Sequence, residues 1–375
     1  MKNKANNTEK EEKVEKKKEG GSTRSLIFML LLVFAFKSSF LDANNIPSGS
    51  MIPTLKIGDF LFVNKMRYSF RMPFTEDEVF RFDNPKRGDI VTFAPPPSAM
   101  PGEYYGETFS RRVLRKIMPS LFSKRFVKRV LGMPGDKIRF STRSIKDIKG
   151  KVINYTILEY QEKGSKEFKD YSPVAIEPGN ELKDLDNVWA MDKSLFLEKK
   201  QNFQHFVLEG EGRGNFRFLF AHCEMDKAGI REETIPDDYS TGNIEFLKSY
   251  CNNERIGTIP DDYYLVMGDN REDSSDSRYW GLVKREDILG KAMVIYLSIN
   301  WKDSKCSQLY TRAIHGLPVD DVDEKELLKI CHPSELNVQE PERGFRVLKS
   351  WIEKTLWYRF ARMEFRWKRI GKILK

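Results

Sequence analysis

A chain of 375 residues has room for a sizeable core and two or three structural units, and its formal net charge is +9. Residues 343–375 alone carry eleven Lys/Arg against Glu353 and Glu364, also +9, so residues 1–342 sum to zero. This speaks against a generally basic nucleic-acid-binding domain and directs one basic tail at a polyanionic surface, either acidic lipid headgroups or nucleic acid.

Residues 2–19 mix Lys and Glu with almost no apolar side chain, the composition of a disordered tail. Eleven uninterrupted apolar residues follow at 26–36. That is short for a membrane span, which needs about 20 residues, and matches the apolar core of a secretory signal peptide. Cleavage wants small residues at −3 and −1, however. Ala43 has Leu41 at −3, and Ser38 or Ser39 has Phe36 or Lys37 there. Extended over 25–41, with Lys37 snorkelling, the stretch is expected to be an uncleaved transmembrane anchor. Lys16, Lys17, Lys18 and Arg24 before it place the N-terminus in the cytoplasm and the bulk of the chain on the outer side.

Residues 46–55 read Ile46-Pro47-Ser48-Gly49-Ser50-Met51-Ile52-Pro53-Thr54-Leu55. Pro47 and Pro53 remove amide donors and Gly49 widens the backbone choice, so the segment is expected to hold Ser50 in an extended, exposed turn. Ser50 lies nine residues beyond Leu41. An extended chain spans at most ~3.3–3.6 Å per residue, which keeps Ser50 within roughly 30 Å of the membrane.

Downstream the pattern is β. Gly58-Asp59 and Gly88-Asp89 each introduce a short apolar run, at 60–63 and 90–93. Residues 111–126 carry six Lys/Arg among apolar positions and are expected to form an interfacial basic helix divided at Pro119. In the strand at 126–131, alternation puts Lys128 on the face of Phe126 and Val130. Burial there would lower its pKa and make it able to accept a proton from a serine hydroxyl. Met133-Pro134-Gly135-Asp136 has the chemistry of a type II turn.

Residues 141–260 read as an inserted, mainly β subdomain between two parts of a catalytic domain, 42–140 and 261–301. A strand at 263–267 delivers the polar run 268–281, rich in Asp, Asn, Ser and Arg, and 290–300 is a further strand. In the extension 302–375, Phe345, Leu348, Ile352, Leu356, Phe360, Met363, Trp367, Ile370 and Leu374 recur at helical spacing between basic residues, which predicts a basic amphipathic helix. Cys223, Cys251, Cys306 and Cys331 lack the usual zinc spacings, so no metal is expected, and their three possible pairings stay open.

Together the anchor, 46–55, Arg87-Gly88-Asp89-Ile90-Val91, residues 128–136 and residues 268–281 resemble the bacterial type I signal peptidases, membrane-bound Ser-Lys endopeptidases that remove signal peptides. The resemblance implies a mainly β fold: an antiparallel-sheet catalytic domain with an inserted β-rich cap subdomain, preceded by one N-terminal transmembrane helix. It implies Ser50 as nucleophile and Lys128 as general base. The Ser50 N–H and the Ser48 hydroxyl would form the oxyanion hole, with Ser274 orienting the lysine. Arg129, Asp269, Asp276 and Arg278 would form supporting ion pairs. No cofactor is implied. The partners would be signal peptides of exported preproteins, membrane lipid and the secretion translocon, with no nucleic acid. Arg366-Trp367-Lys368-Arg369-Ile370-Gly371-Lys372 resembles the C-terminal segment of these enzymes, which makes 302–364 an insertion. Two other readings are a narrow-specificity Ser-Lys processing protease and a catalytically silent, membrane-tethered protein that captures extended peptides by strand addition.

Overall fold

The computed structural model describes residues 23–100, 123–179, 193–200, 203–210, 239–303 and 354–374, with isolated positions 113, 182, 223, 229, 235, 331 and 352. Residues 23–39 form helix α1, and its apolar side chains from Leu26 to Val33 are all exposed. Among the described residues, no helix is long and apolar enough to cross a membrane.

The chain is mainly β and antiparallel. In order, β1 (Leu41–Asn45), β2 (Asp59–Asn64), β3 (Ser69–Arg71), β4 (Glu78–Arg81), β5 (Ile90–Phe93), β6 (Phe126–Gly132), β7 (Lys137–Lys146) and β8 (Val152–Gln161) lead into β9 (Pro173–Ala175), β10 (Ser194–Lys200) and β11 (Phe203–Glu209). Helix α2 (Thr241–Asn252) follows, then β12 (Gly257–Thr258), β13 (Tyr263–Met267), the short α3 (Ser277–Trp280), β14 (Val283–Lys284), β15 (Ile288–Asn300) and β16 (Glu364–Phe365). The main sheet has the order β1-β2-β15-β5-β6-β13-β14, with β16 paired to β15. The strands expected at 60–63, 90–93, 126–131, 263–267 and 290–300 are all present, because each is a short apolar run behind a turn.

Two further sheets, β11-β10-β9 and β12-β7-β8, lie between β6 and β13 in the chain. The boundary expected at 140 falls inside β7, which runs on to Lys146 and pairs along its length with β8. The expected insertion also contains a helix that the β reading overlooked. Ser240 caps α2 by accepting from the Asn243 N–H, and Phe246, Leu247, Tyr250 and Cys251 are buried on one face. A disulfide joins Cys223 to Cys251 beneath it, and Cys331 is disulfide-bonded too.

The C-terminal segment departs from one continuous helix. A wide helical turn, Lys354–Arg359, passes into Phe360–Arg362, and the chain then extends into β16 beside Ile299 and Asn300. Backbone bonds from Gly371 N–H to the Ile295 carbonyl (2.8 Å) and from Leu374 N–H to the Met293 carbonyl (2.7 Å) lay it along β15. The sheet edge offers unpaired backbone groups, and pairing with them outweighs helical periodicity. The start of the expected helix, 343–351, and most of the basic helix at 111–126 lie outside the described residues.

Candidate active site

Ser50 sits in a turn that bonds to itself, Ile52 N–H to Gly49 carbonyl (3.1 Å) and Leu55 N–H to Met51 carbonyl (2.9 Å). It is neither extended nor exposed as its prolines and glycine predicted: Ser50 is buried, and Gly49 is absent from the glycines with positive φ. Met51 and Leu55 explain the difference. Both pack with Ile46, Leu61, Ile90, Ala292 and Ile295 in one apolar cluster and draw the turn down onto the sheet.

Lys128 projects from β6 and is 5% exposed, with its Nζ 2.6 Å from Ser50 Oγ. Seventy-eight residues of sequence separate the pair, and the sheet path β1-β2-β15-β5-β6 brings the segments that carry them together. Burial is the main influence on the amine and pulls its pKa down to about 8. Asp276 and Asp269 pull the other way, with Arg278 opposing them.

Each aspartate is matched by its own arginine. Arg129 donates through Nε to Asp269 Oδ1 (2.9 Å) and through Nη2 to Oδ2 (2.8 Å). Arg278 grips Asp276 in the same forked way, at 2.9 Å twice. Burial pushes both carboxylates towards neutrality, and the facing guanidinium overcomes it and keeps each below its ordinary range. The lysine therefore faces two internally neutralised pairs rather than two free charges.

Ser274 is buried in the same loop, packed against Gly268, but the bond expected from it to the Lys128 amine is not made. Its hydroxyl is turned to the Asp276 carboxylate instead and helps to hold that group ionised. Ser48 is exposed at the mouth of the cleft.

Several residues unremarked in the sequence hold the site together. Asn270 donates its N–H to the Ser50 carbonyl and its side-chain amide to the Gly49 carbonyl, both at 3.1 Å. Thr54 donates to Asp269 at 2.5 Å. β11 pins the loop through Leu208, whose N–H donates to the Asp269 carbonyl (2.9 Å) and whose carbonyl accepts from Arg271 (3.0 Å). Glu198 on β10 accepts from Arg271 (2.8 Å) and Tyr155 (2.6 Å). Asn270 and Thr54 lay within stretches already singled out. Glu198 carried no local signal, because its partner is 73 residues away.

A cleft of about 840 Å³ opens over Ser50. One wall is the segment from Asp42 to Ile46, and the other is formed by residues 123–128. β1 ends the sheet, and β13 pairs with β6 only from Arg129 onward, so both walls present strand edges without a strand partner among the described residues. No cluster of metal-binding side chains occurs among them either.

A buried serine hydrogen-bonded to a base on a β framework is the equipment of the serine hydrolases. Comparison narrows the class. Residues 21–297 match the model of the family described as Signal peptidase, peptidase S26, and the chain belongs to that family of serine endopeptidases. Relatives named Signal peptidase I include one from Buchnera aphidicola subsp. Schizaphis graminum, 32% identical over 76% of this chain and 77% of its own length. Those of Pseudomonas aeruginosa and Haemophilus influenzae are each 28% identical, covering 76% and 78% of this chain and 74% and 73% of theirs.

Proposed function

We propose that the chain is a membrane-anchored serine endopeptidase that removes N-terminal signal peptides from exported preproteins through a Ser50–Lys128 dyad and an acyl-enzyme. The observation that carries this is the 2.6 Å contact from a buried lysine amine to a serine hydroxyl at the floor of a cleft with two open strand edges.

An extended peptide adds to these edges through its backbone, leaving alternate side chains facing the cleft floor. The neutral Lys128 amine takes the Ser50 proton as Oγ attacks the scissile carbonyl. The oxyanion is met by the Ser50 N–H and, from the rim, by the Ser48 hydroxyl. Protonated Lys128 then returns its proton to the leaving amine, and the released peptide carries that amine as its new N-terminus. Water enters, gives its proton to Lys128, attacks the ester and frees the signal peptide carboxylate, and Ser50 recovers its proton. The Ser274 hydroxyl, beside Asp276, turns to the amine when that amine is charged.

The anchor reading rests on α1, whose 17 described residues reach about 26 Å at ~1.5 Å per residue, and on its exposed apolar surface. Phe36 and Phe40 stack at its end, and Phe40 meets Phe70 of β3. Exposed Val79, Phe80 and Phe82 continue this surface, and exposed Trp357 and Trp367 add another beside basic residues. In this reading the chain passes the membrane once. Its N-terminus is in the cytoplasm and its catalytic domain on the outer side, where the secretion translocon delivers preproteins. The Cys223–Cys251 disulfide agrees with an oxidising compartment.

The test is cleavage of a reporter preprotein by the full chain in detergent beside Ser50→Ala and Lys128→Ala. Wild type cleaves, and both variants fold but lose cleavage by at least about a thousandfold. Cleavage by Ser50→Ala at the wild-type rate would sink the assignment.

A further inference from the structure

The inner face of β1 changes character along the cleft. Strand alternation puts Asp42, Asn44 and Ile46 on one side, where the exposed Ala43 and Asn45 do not lie. Ile46, nearest the nucleophile, is buried with Met51 and Val127 in an apolar wall. Asp42 at the far end is already engaged, accepting from the Ala43 N–H (2.9 Å) and facing the Lys65 amine at 3.8 Å. Asn44 between them is different. The half-buried residue is part of the cleft wall, and its amide nitrogen is out of water without any hydrogen-bond partner among the described residues. A buried donor left unpaired is a standing deficit that a ligand group could remove.

The backbone register says which substrate residue meets it. Ile46 exchanges bonds with Asp59 and Gly58, and the Phe40 carbonyl accepts from Lys65, so even-numbered residues of this strand turn their backbone towards β2. Ala43 and Asn45 turn theirs to the open edge, where a substrate strand pairs. Side chains on one face of that strand recur every two residues. The residue whose carbonyl Ser50 attacks lies against Ile46 and Met51, so the residue two positions earlier, at −3, lies against Asn44.

We propose that Asn44 makes the −3 subsite of this enzyme a polar one, selecting a serine or threonine hydroxyl over an aliphatic side chain of similar size. A hydroxyl both donates and accepts, so it satisfies the amide whichever of its two ends faces the cleft. An alanine or a valine leaves the amide unpaired. The proposal rests on the Ser50–Lys128 peptidase reading above.

The experiment gives the detergent-solubilised full chain four reporter preproteins differing only at −3, as Ala, Ser, Thr or Val, and compares kcat/KM. Wild type is expected to favour Ser or Thr over Val by roughly three- to tenfold, the scale of one net hydrogen bond. Asn44→Leu is expected to reverse that order. Equal rates for Ser and Val in wild type overturn the proposal whether or not the variant folds, as does a hydroxyl preference that survives Asn44→Leu. The same panel carried to −2 serves as a control, because that side chain faces away from Asn44; a larger hydroxyl preference at −2 than at −3 also overturns it. If none of the four preproteins is cut, the peptidase reading itself fails and takes the subsite with it.

Discussion

Lys128 is an expensive residue to bury, and its cost and its chemistry have the same origin. A lysine whose folded pKa lies near 8 rather than 10.5 destabilises the fold fully below pH 8. The cost declines as pH rises from 8 towards 10.5, because over that range only the unfolded chain still holds the proton. Lys128→Met is therefore expected to be inactive yet more stable at pH 7, by about 1–3 kcal/mol in a denaturant titration, with the gain shrinking above pH 8. In wild type, kcat/KM is expected to climb about tenfold per pH unit on the acid side and level off above pH 8, where the amine is neutral. A profile flat from pH 6 to 10 would remove Lys128 from the role of base. Lys128 stood out in the sequence because a lysine on an apolar strand face is rare. Asn270 did not, since one polar residue in a run of many gives no local sign that it holds the carbonyls of Gly49 and Ser50.

At the level of elements, the loop after β13 and the turn carrying Ser50 touch so closely that Gly268 admits no side chain. A Cβ there would stand 2.2 Å from Ser274 Oγ and 2.4 Å from the Ser50 carbonyl oxygen. Backbone cannot rotate away as a side chain does, so Gly268→Ala must shift Ser50. A displacement of that size is expected to lower kcat about a hundredfold or more with little change in KM, read from steady-state cleavage kinetics. The sheet β11-β10-β9 supports the same loop from the other side through Glu198, which burial pushes up but Arg271 holds down at about 2. Glu198→Leu strands the buried guanidinium and is expected to cost about 3–5 kcal/mol in thermal or chemical melts. Residues 141–260 thus help to hold the loop beside Ser50. Their strands were readable from alternation, whereas α2 was overlooked although Ser240 and the spacing of Phe246, Leu247 and Tyr250 announce it.

On the scale of the whole molecule, the chain's end returns to its catalytic turn. Arg369 binds the fully buried Asp59 with two donors and gives a bond to the Thr54 carbonyl at 3.0 Å, across more than 300 residues of sequence. Arg369→Ala leaves Asp59 buried without that partner and is expected to cost about 2–4 kcal/mol, with kcat falling as the turn loosens, measured by melting and cleavage together. The sequence by itself determined the β class, the strands, the stretches that carry Ser50, Lys128 and the Asp–Arg pairs, and the membership they imply. Those features are local: alternation, turn residues and motif order are written within a few positions of each other. Tertiary structure alone decided that the Ser50 turn is buried, that Ser274 makes no bond to the lysine amine and that the tail extends along β15. It also decided that Asn44 stands in the cleft wall with its donor unspent. Each of these depends on what a distant segment brings to within about 3 Å, the range at which hydrogen bonds and desolvation act, and no spacing along the chain encodes that.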